Sequence, residues 1–147
     1  LFVCHGNICR STMAEFVLKD MVARRGLAEQ FRIESAATST EEIGNPVHPG
    51  TAAVLREHGI GGFEGKRARQ LRRADYDAFD FIIGMDTANI RNMNWILGGD
   101  PDGKVLKLLE FAGTNRSVDD PWYTGDFETT YADVCDGCEG LLAYLGM

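Results

Sequence analysis

Cysteine is scarce in this chain of 147 residues: there are four, Cys4, Cys9, Cys135 and Cys138, with none between the second and the third. A secreted scaffold held together by disulfides would be shorter and denser in cysteine, so that class is excluded. Proline is as sparse, at four residues, and no stretch is repeated or of low complexity, which leaves no place for a linker or a repeat array. No apolar run approaches the roughly 20 residues that cross a bilayer. Basic charge is in deficit. Fifteen Lys and Arg against 22 Asp and Glu give a formal net charge of −7, the wrong sign for a nucleic-acid binder. The three histidines, His5, His48 and His58, show no triad-like spacing.

No signal peptide is visible, so a cytoplasmic location is expected, with export lacking a visible signal as the alternative. The chain opens at Leu1-Phe2-Val3 without a methionine. Three residues ahead of Cys4 are short for a central strand, and a few native residues are expected before Leu1.

What is present is an ordinary globular composition, 44% hydrophobic and 25% charged. The length suits one domain over residues 1–147, which buries roughly two-thirds of its unfolded surface. Leu1–Val3 reads as the end of a buried strand. Met13, Phe16, Val17, Leu18 and Met21 are spaced for a helix from Ser11 to about Arg25, closed by Gly26. Phe31–Glu34 reads as a second strand and Thr38–Pro49 as a loop. A helix is expected over Pro49–His58, a third strand over Ala78–Met85, and a helix capped by Asp86 that runs to about Trp95. Val105–Leu109 suits a fourth strand and Asn115–Asp126 a loop. Apolar residues at 127, 131, 134, 138, 141 and 145 mark an amphipathic helix over Phe127–Leu145. Strands alternating with helices predict an α/β fold, a parallel twisted sheet with helices on both faces, joined by right-handed crossovers.

In such a sheet, ligands bind at the carboxyl ends of the strands. The segment Cys4-His5-Gly6-Asn7-Ile8-Cys9-Arg10-Ser11 lies there, between the first strand and the first helix. It can curl so that its backbone N–H groups form an anion nest, with Gly6 and Asn7 suited to positive φ. The helix starting at Ser11 aims its positive dipole end at the same point. Arg10 offers a planar fork to two phosphate oxygens. The same field is expected to make Cys4 a thiolate, and the Ser11 hydroxyl is placed to donate to that sulfur and ease its later departure. A core cysteine beside an exposed arginine would be the bland alternative. The strand before the loop, the helix after it, Gly-Asn within it and Arg-Ser at its end argue against that.

With that loop the sequence resembles the low-molecular-weight protein tyrosine phosphatase family. The resemblance covers essentially the whole chain. It includes Ala14-Glu15, Glu34-Ser35-Ala36, His58-Gly59-Ile60, Ala68-Arg69-Gln70, Met85-Asp86 and Asp120-Pro121-Trp122-Tyr123, in the family's order. It implies a three-layer domain with four parallel strands in the order 2-1-3-4. It implies a phosphocysteine mechanism on Cys4, with Arg10 binding phosphate and no metal or other cofactor. The Asp-Pro pair taken alone reads as a turn. The resemblance makes Asp120 the general acid, with Asp119 as the neighbouring alternative. Asn7, Ser11 and Ser35 are then expected to support the loop, and Trp122 and Tyr123 to form an aromatic wall. Glu41 falls about where animal relatives carry a tryptophan on the opposite wall. The family usually has a histidine at the position of Lys66, a departure that leaves the bracing to Ser35, Ser11 or another group.

Cys9 shares the loop with Cys4 and is a candidate redox partner, since a reversible disulfide would protect the nucleophile. Cys135 and Cys138 lie within a helix pattern and read as core packing rather than a zinc site. His5 is a candidate modulator of the cysteine; His48 and His58 read as surface or helix-end residues. Lys66–Arg73 is a basic run that reads as a solvated face, the sharper alternative being a rim that attracts a phosphorylated partner. The expected partners are phosphotyrosine proteins and phosphate or a similar oxyanion. The chain is expected to be a monomer, with weak self-association as the alternative.

Three rivals remain. A protein-arginine phosphatase of the same fold typically has threonine where this chain has Ile8. A thioredoxin-coupled arsenate reductase needs cysteines in the middle of the chain, where there are none. A non-catalytic phosphate-binding module would lack the nucleophile, the arginine or the acid.

Overall fold

A computed structural model describes residues 1–147. Four short parallel strands, β1 (Phe2–Cys4), β2 (Ser35–Ala37), β3 (Ile82–Gly84) and β4 (Val105–Lys107), form one sheet in the order β2-β1-β3-β4. The longer helices are α1 (Arg10–Arg24), α2 (Pro49–Glu57), α4 (Thr87–Leu97) and α6 (Phe127–Tyr144). Single turns form α3 (Asp75–Ala78) and α5 (Pro121–Thr124), and 3-10 turns lie at Ala28–Gln30 and Leu108–Ala112.

Strand pleating sorts the core into two halves, because successive side chains leave the sheet on opposite faces. Phe2, Cys4 and Ile83 join the side chains of α1, α2 and α6 in one apolar cluster. Leu1, Val3, Ala36 and Ile82 face the other way and join Tyr76, Met93 and Leu97 of α3 and α4. The sheet is thus covered on both sides, as a parallel sheet requires. Val134, Cys138, Leu141 and Leu142 of α6 are buried along the helical stripe expected of that segment. That helix lies close to the 3-10 turn: a Cβ on Gly140 would collide with the Phe111 carbonyl oxygen.

Three strand boundaries differ from expectation. The second strand is Ser35–Ala37, not Phe31–Glu34. Phe31 and Ile33 pack against the core as an extended approach, and the ladder itself pairs Phe2 with Ser35 and Cys4 with Ala37. The third strand loses its front half to α3 and the Phe79–Phe81 approach. The fourth ends at Lys107, where the chain tightens into the 3-10 turn. Asp86 caps α4 as expected, its side chain accepting from the Asn89 N–H.

Candidate active site

The loop from Cys4 to Arg10 leaves the carboxyl end of β1, a central strand, and enters α1. Its carbonyls are tied outward. Thr12 Oγ1 donates to the Ile8 carbonyl at 2.8 Å, the His48 N–H to the same oxygen at 2.9 Å, and Thr51 Oγ1 to the Cys9 carbonyl at 3.1 Å. The Asn7 N–H points inward and donates to Cys4 Sγ at 3.3 Å. The N–H groups of Gly6, Ile8, Cys9 and Arg10 have no acceptor within the protein. Such unclaimed donors around one point, at the start of a fifteen-residue helix, make an anion site.

Asn7 is the one residue other than glycine with positive φ, at 59°. Asparagine tolerates that conformation better than most residues, and here its side chain fixes it in place. Nδ2 donates to Ser11 Oγ at 2.8 Å and to Ser35 Oγ at 2.9 Å, while Oδ1 accepts from the Arg69 N–H at 3.1 Å. These bonds set the direction of the next one. Ser11 Oγ accepts from Asn7, so its own hydrogen is free for Cys4 Sγ, 3.0 Å away. Ser35 Oγ donates onward to Glu15 Oε1 at 2.5 Å. Glu15 is buried and held by two lysines, Lys19 at 2.6 Å and Lys66 at 3.5 Å. Lys66 also donates to the Ser35 carbonyl at 2.8 Å. Burial pulls the Lys66 pKa down against the opposing charge of Glu15. The lysine therefore braces the loop from one step further out, by holding Glu15 and the Ser35 backbone.

Arg10 is as buried as the cysteine, at 3% exposure for each. Its Nη1 donates to Asp86 Oδ2 at 2.7 Å and to the Val118 carbonyl at 2.9 Å, and its Nη2 to Asp120 Oδ2 at 3.4 Å. Burial alone would lower its pKa, but Cys4, the Asp86 hydrogen bond and Asp120 outweigh burial and raise it. The guanidinium is a fixed positive charge beside the sulfur. Cys9 behaves in the opposite way. Burial first, then the nearness of Cys4 and Asp120, push its thiol up to about 12, so Cys9 is held neutral.

A cleft of about 350 Å³ opens over the loop. Cys4, Ile8, Cys9 and Arg10 form its floor side, and Glu41, Glu42, Asp120, Trp122 and Tyr123 complete its lining. Asp120 caps α5, its Oδ1 accepting from the Trp122 N–H at 3.1 Å. Trp122 and Tyr123 stand 58% and 84% exposed at the edge of the cleft, unlike core aromatics. The exposed His5 ring meets Glu41 at 2.8 Å at the rim of the cleft.

The structure therefore brings together Cys4, His5, Gly6, Ile8, Cys9, Arg10, Glu41, Asp120, Trp122 and Tyr123 around one cleft, with Asn7, Ser11 and Ser35 beneath it. Three contributors have no site role in the sequence reading: Asp86, which appears there as a helix cap and a piece of the resemblance, Glu15, a piece of the resemblance only, and Glu42. For the first two the signal was a carboxylate in a segment otherwise destined for burial. The basic run is dispersed. Lys66 serves Glu15, and Arg69 makes paired bonds to Asp75 at 3.0 and 3.1 Å, so these do not form a rim. No group of three or more His, Cys, Asp or Glu side chains is arranged to hold a metal ion, and Cys135 and Cys138 are free thiols. No helix is long and apolar enough to cross a membrane.

Fold and site together define a class: a parallel α/β protein with a cysteine–arginine anion loop at the end of its first strand and a carboxylate facing it. Within that class, the family model for low molecular weight phosphotyrosine protein phosphatase matches residues 1–147, and the chain belongs to that family. YfkJ of Bacillus subtilis, a low molecular weight protein-tyrosine-phosphatase by name, is 43% identical over 145 residues, covering 97% of this chain and 92% of the relative. Its crystal structure matches with a TM-score of 0.93 at 41% identity, over 99% of this chain and 92% of the other. The low molecular weight protein tyrosine phosphatase of Streptococcus pyogenes matches with a TM-score of 0.88 at 44% identity, over 98% and 90% of the two chains. A Drosophila arginine phosphatase also reaches 0.88, at 28% identity over 99% and 96%, so the fold by itself does not choose the phosphorylated residue.

Proposed function

We propose that the chain hydrolyses phosphotyrosine in proteins, and small aryl phosphates, through a phosphocysteine intermediate on Cys4. One observation carries this reading: Cys4 Sγ sits among unclaimed backbone N–H groups and the Arg10 fork, in the cleft that Asp120 and two exposed aromatic rings also line.

In the first step the Cys4 thiolate attacks phosphorus in line with the ester oxygen. The S–P bond forms and the P–O bond breaks, while the loop N–H groups and Arg10 hold the equatorial oxygens. Asp120 gives its proton to the departing phenol oxygen. In the second step Asp120, now ionised, takes a proton from water as the water oxygen attacks phosphorus. The S–P bond breaks, inorganic phosphate leaves, and the thiolate is restored with Ser11 donating to it. Proton and electron pair balance over the two steps without a metal. Cys9 lines the same cleft as a thiol, and a Cys4–Cys9 disulfide formed under peroxide would guard the nucleophile.

The aromatic pair Trp122 and Tyr123 and the apolar Ile8 favour a phenyl ring in the slot over the guanidinium of phosphoarginine. Turnover of matched phosphotyrosine and phosphoarginine peptides tests this. A clear preference for phosphotyrosine is expected. A preference for phosphoarginine would keep the Cys4 chemistry and replace the substrate.

A further inference from the structure

As sequence, His48 reads as a surface or helix-end residue. In the structure it touches two sides of the site at once. Its backbone N–H donates to the Ile8 carbonyl of the phosphate loop at 2.9 Å. Its ring caps α2, with Nδ1 accepting from the Gly50 N–H at 2.9 Å, so the ring proton of the neutral imidazole lies on Nε2. One face of the ring stacks on Phe127, with centroids 5.1 Å apart and planes 19° from parallel. Phe127 in turn packs against Ile8, Cys9 and Ala68. The glycine at position 50 is what admits the Phe127 ring, since a Cβ there would collide with it. On its other side the imidazole meets Trp122 edge-on, with centroids 5.7 Å apart at 79°.

Trp122 matters because of what its backbone holds. Its N–H donates to Asp120 Oδ1 at 3.1 Å, the shorter of the carboxylate's two ties beside the Arg10 Nη2 bond to Oδ2 at 3.4 Å, so a shift of Trp122 shifts the carboxylate. Ahead of Asp120, the loop is tied by the Val118 N–H to the Met85 carbonyl and by Arg10 to the Val118 carbonyl, both at 2.9 Å. Beyond Asp120 the chain makes a single turn in which Pro121 is buried and Trp122, Tyr123 and Thr124 are exposed. The one aromatic neighbour of the Trp122 ring is His48.

We propose that the His48 ring is a positioning group that holds the turn carrying Asp120 in register with the phosphate loop, through the contacts Ile8–His48–Trp122–Asp120. This rests on Asp120 being the general acid. Aromatic edge contacts are weak singly, but a proton donor misplaced by a fraction of an ångström loses much of its effect. The ring therefore acts on protonation of the leaving group and not on phosphate binding.

The test separates the ring from the cap. His48→Asp keeps a good N-cap residue and removes the ring; His48→Phe keeps the ring and removes the cap. For each, and for Asp120→Asn, kcat/KM is measured over a series of aryl phosphates and plotted against the pKa of the leaving phenol. Inhibition by inorganic phosphate and the melting temperature are measured beside it. A steeper slope is expected for His48→Asp, with about a tenfold loss on the poorest leaving group and unchanged phosphate inhibition. His48→Phe is expected to restore the slope whatever its melting temperature. A wild-type slope in His48→Asp, or an equally steep one in His48→Phe, overturns the proposal while Asp120→Asn remains steep. A wild-type slope in Asp120→Asn removes the acid assignment, and this proposal with it.

Discussion

The two halves of the cleft are built in different ways. On the phosphate-loop side, Ser11, Asn7, Ser35 and Glu15 are all buried and each is tied to the next at hydrogen-bond distance, and Arg10, buried beside them, is held by Asp86 and the Val118 carbonyl. On the acid side, Asp120 stands at the start of a four-residue turn whose aromatic residues face solvent. A nucleophile must be held with its anion site already formed, because charge stabilisation is strongest where the donors need not reorganise. Asp120, as the proposed acid, must meet leaving groups of varied shape. Its side of the cleft is left with fewer ties, and its wall is presented rather than packed.

That contrast predicts a ranked series of effects. Cys4→Ser removes the proposed nucleophile and is expected to cut turnover of an aryl phosphate on the order of 10⁴-fold or more, with phosphate binding retained, as read by steady-state kinetics and phosphate titration. Asp120→Ala is expected to cost about 10²- to 10³-fold in kcat/KM for a poor leaving group and much less for a good one. A uniform loss across leaving groups would mean that the exposed side also shapes the anion site.

Asn7→Ala strikes the buried side. It removes three hydrogen bonds and leaves a residue that tolerates φ 59° less well than asparagine does. A loss of about 10- to 100-fold in kcat/KM is expected, together with about 2 kcal/mol of stability in denaturant unfolding. The corresponding change on the acid side, Trp122→Ala, is expected to leave stability within about 0.5 kcal/mol, since exposed residues contribute little to the fold.

The smallest effect is on acid stability. Burial would raise the Asp75 pKa, but the paired bonds from Arg69 and the Arg72 N–H outweigh it and hold the carboxyl below its ordinary 3.8. A carboxyl with a depressed folded pKa contributes stability above its unfolded value and loses it as pH falls through the folded one. Asp75→Asn is therefore expected to destabilise the protein at neutral pH and to converge with the wild type as the pH drops below 3.8. Asp75 anchors the Arg69 segment, whose N–H holds Asn7, so this also probes the buried side from its outer edge.

The same contrast explains what the sequence revealed. The loop from Cys4 to Ser11 and the helix behind it were legible because their signals are local: a cysteine and an arginine at fixed spacing, glycine and asparagine for the turn, apolar residues at helical spacing. The Phe127–Tyr144 helix and the Asp86 cap were legible for the same reason. Asp120 needed the family resemblance, because an Asp-Pro pair has the same local chemistry in any turn. Strand β2 was misplaced because Ser-Ala-Ala has neither alternation nor bulk. Its small residues fit beneath the phosphate loop, and the more strand-like Phe31–Glu34 only leads up to it. Asp86 on Arg10, Glu15 under Ser35 and His48 against Trp122 are long-range pairings, set by the fold and carried by no spacing.

The central claim is that Cys4 carries the phosphoryl group between the two halves of the reaction. Rapid acid quenching of the enzyme during turnover of an aryl phosphate, followed by peptide mass spectrometry, tests it directly. One phosphoryl group on the peptide holding Cys4 is expected, absent from Cys4→Ser. Turnover with no adduct, or an adduct on a different residue, would contradict it.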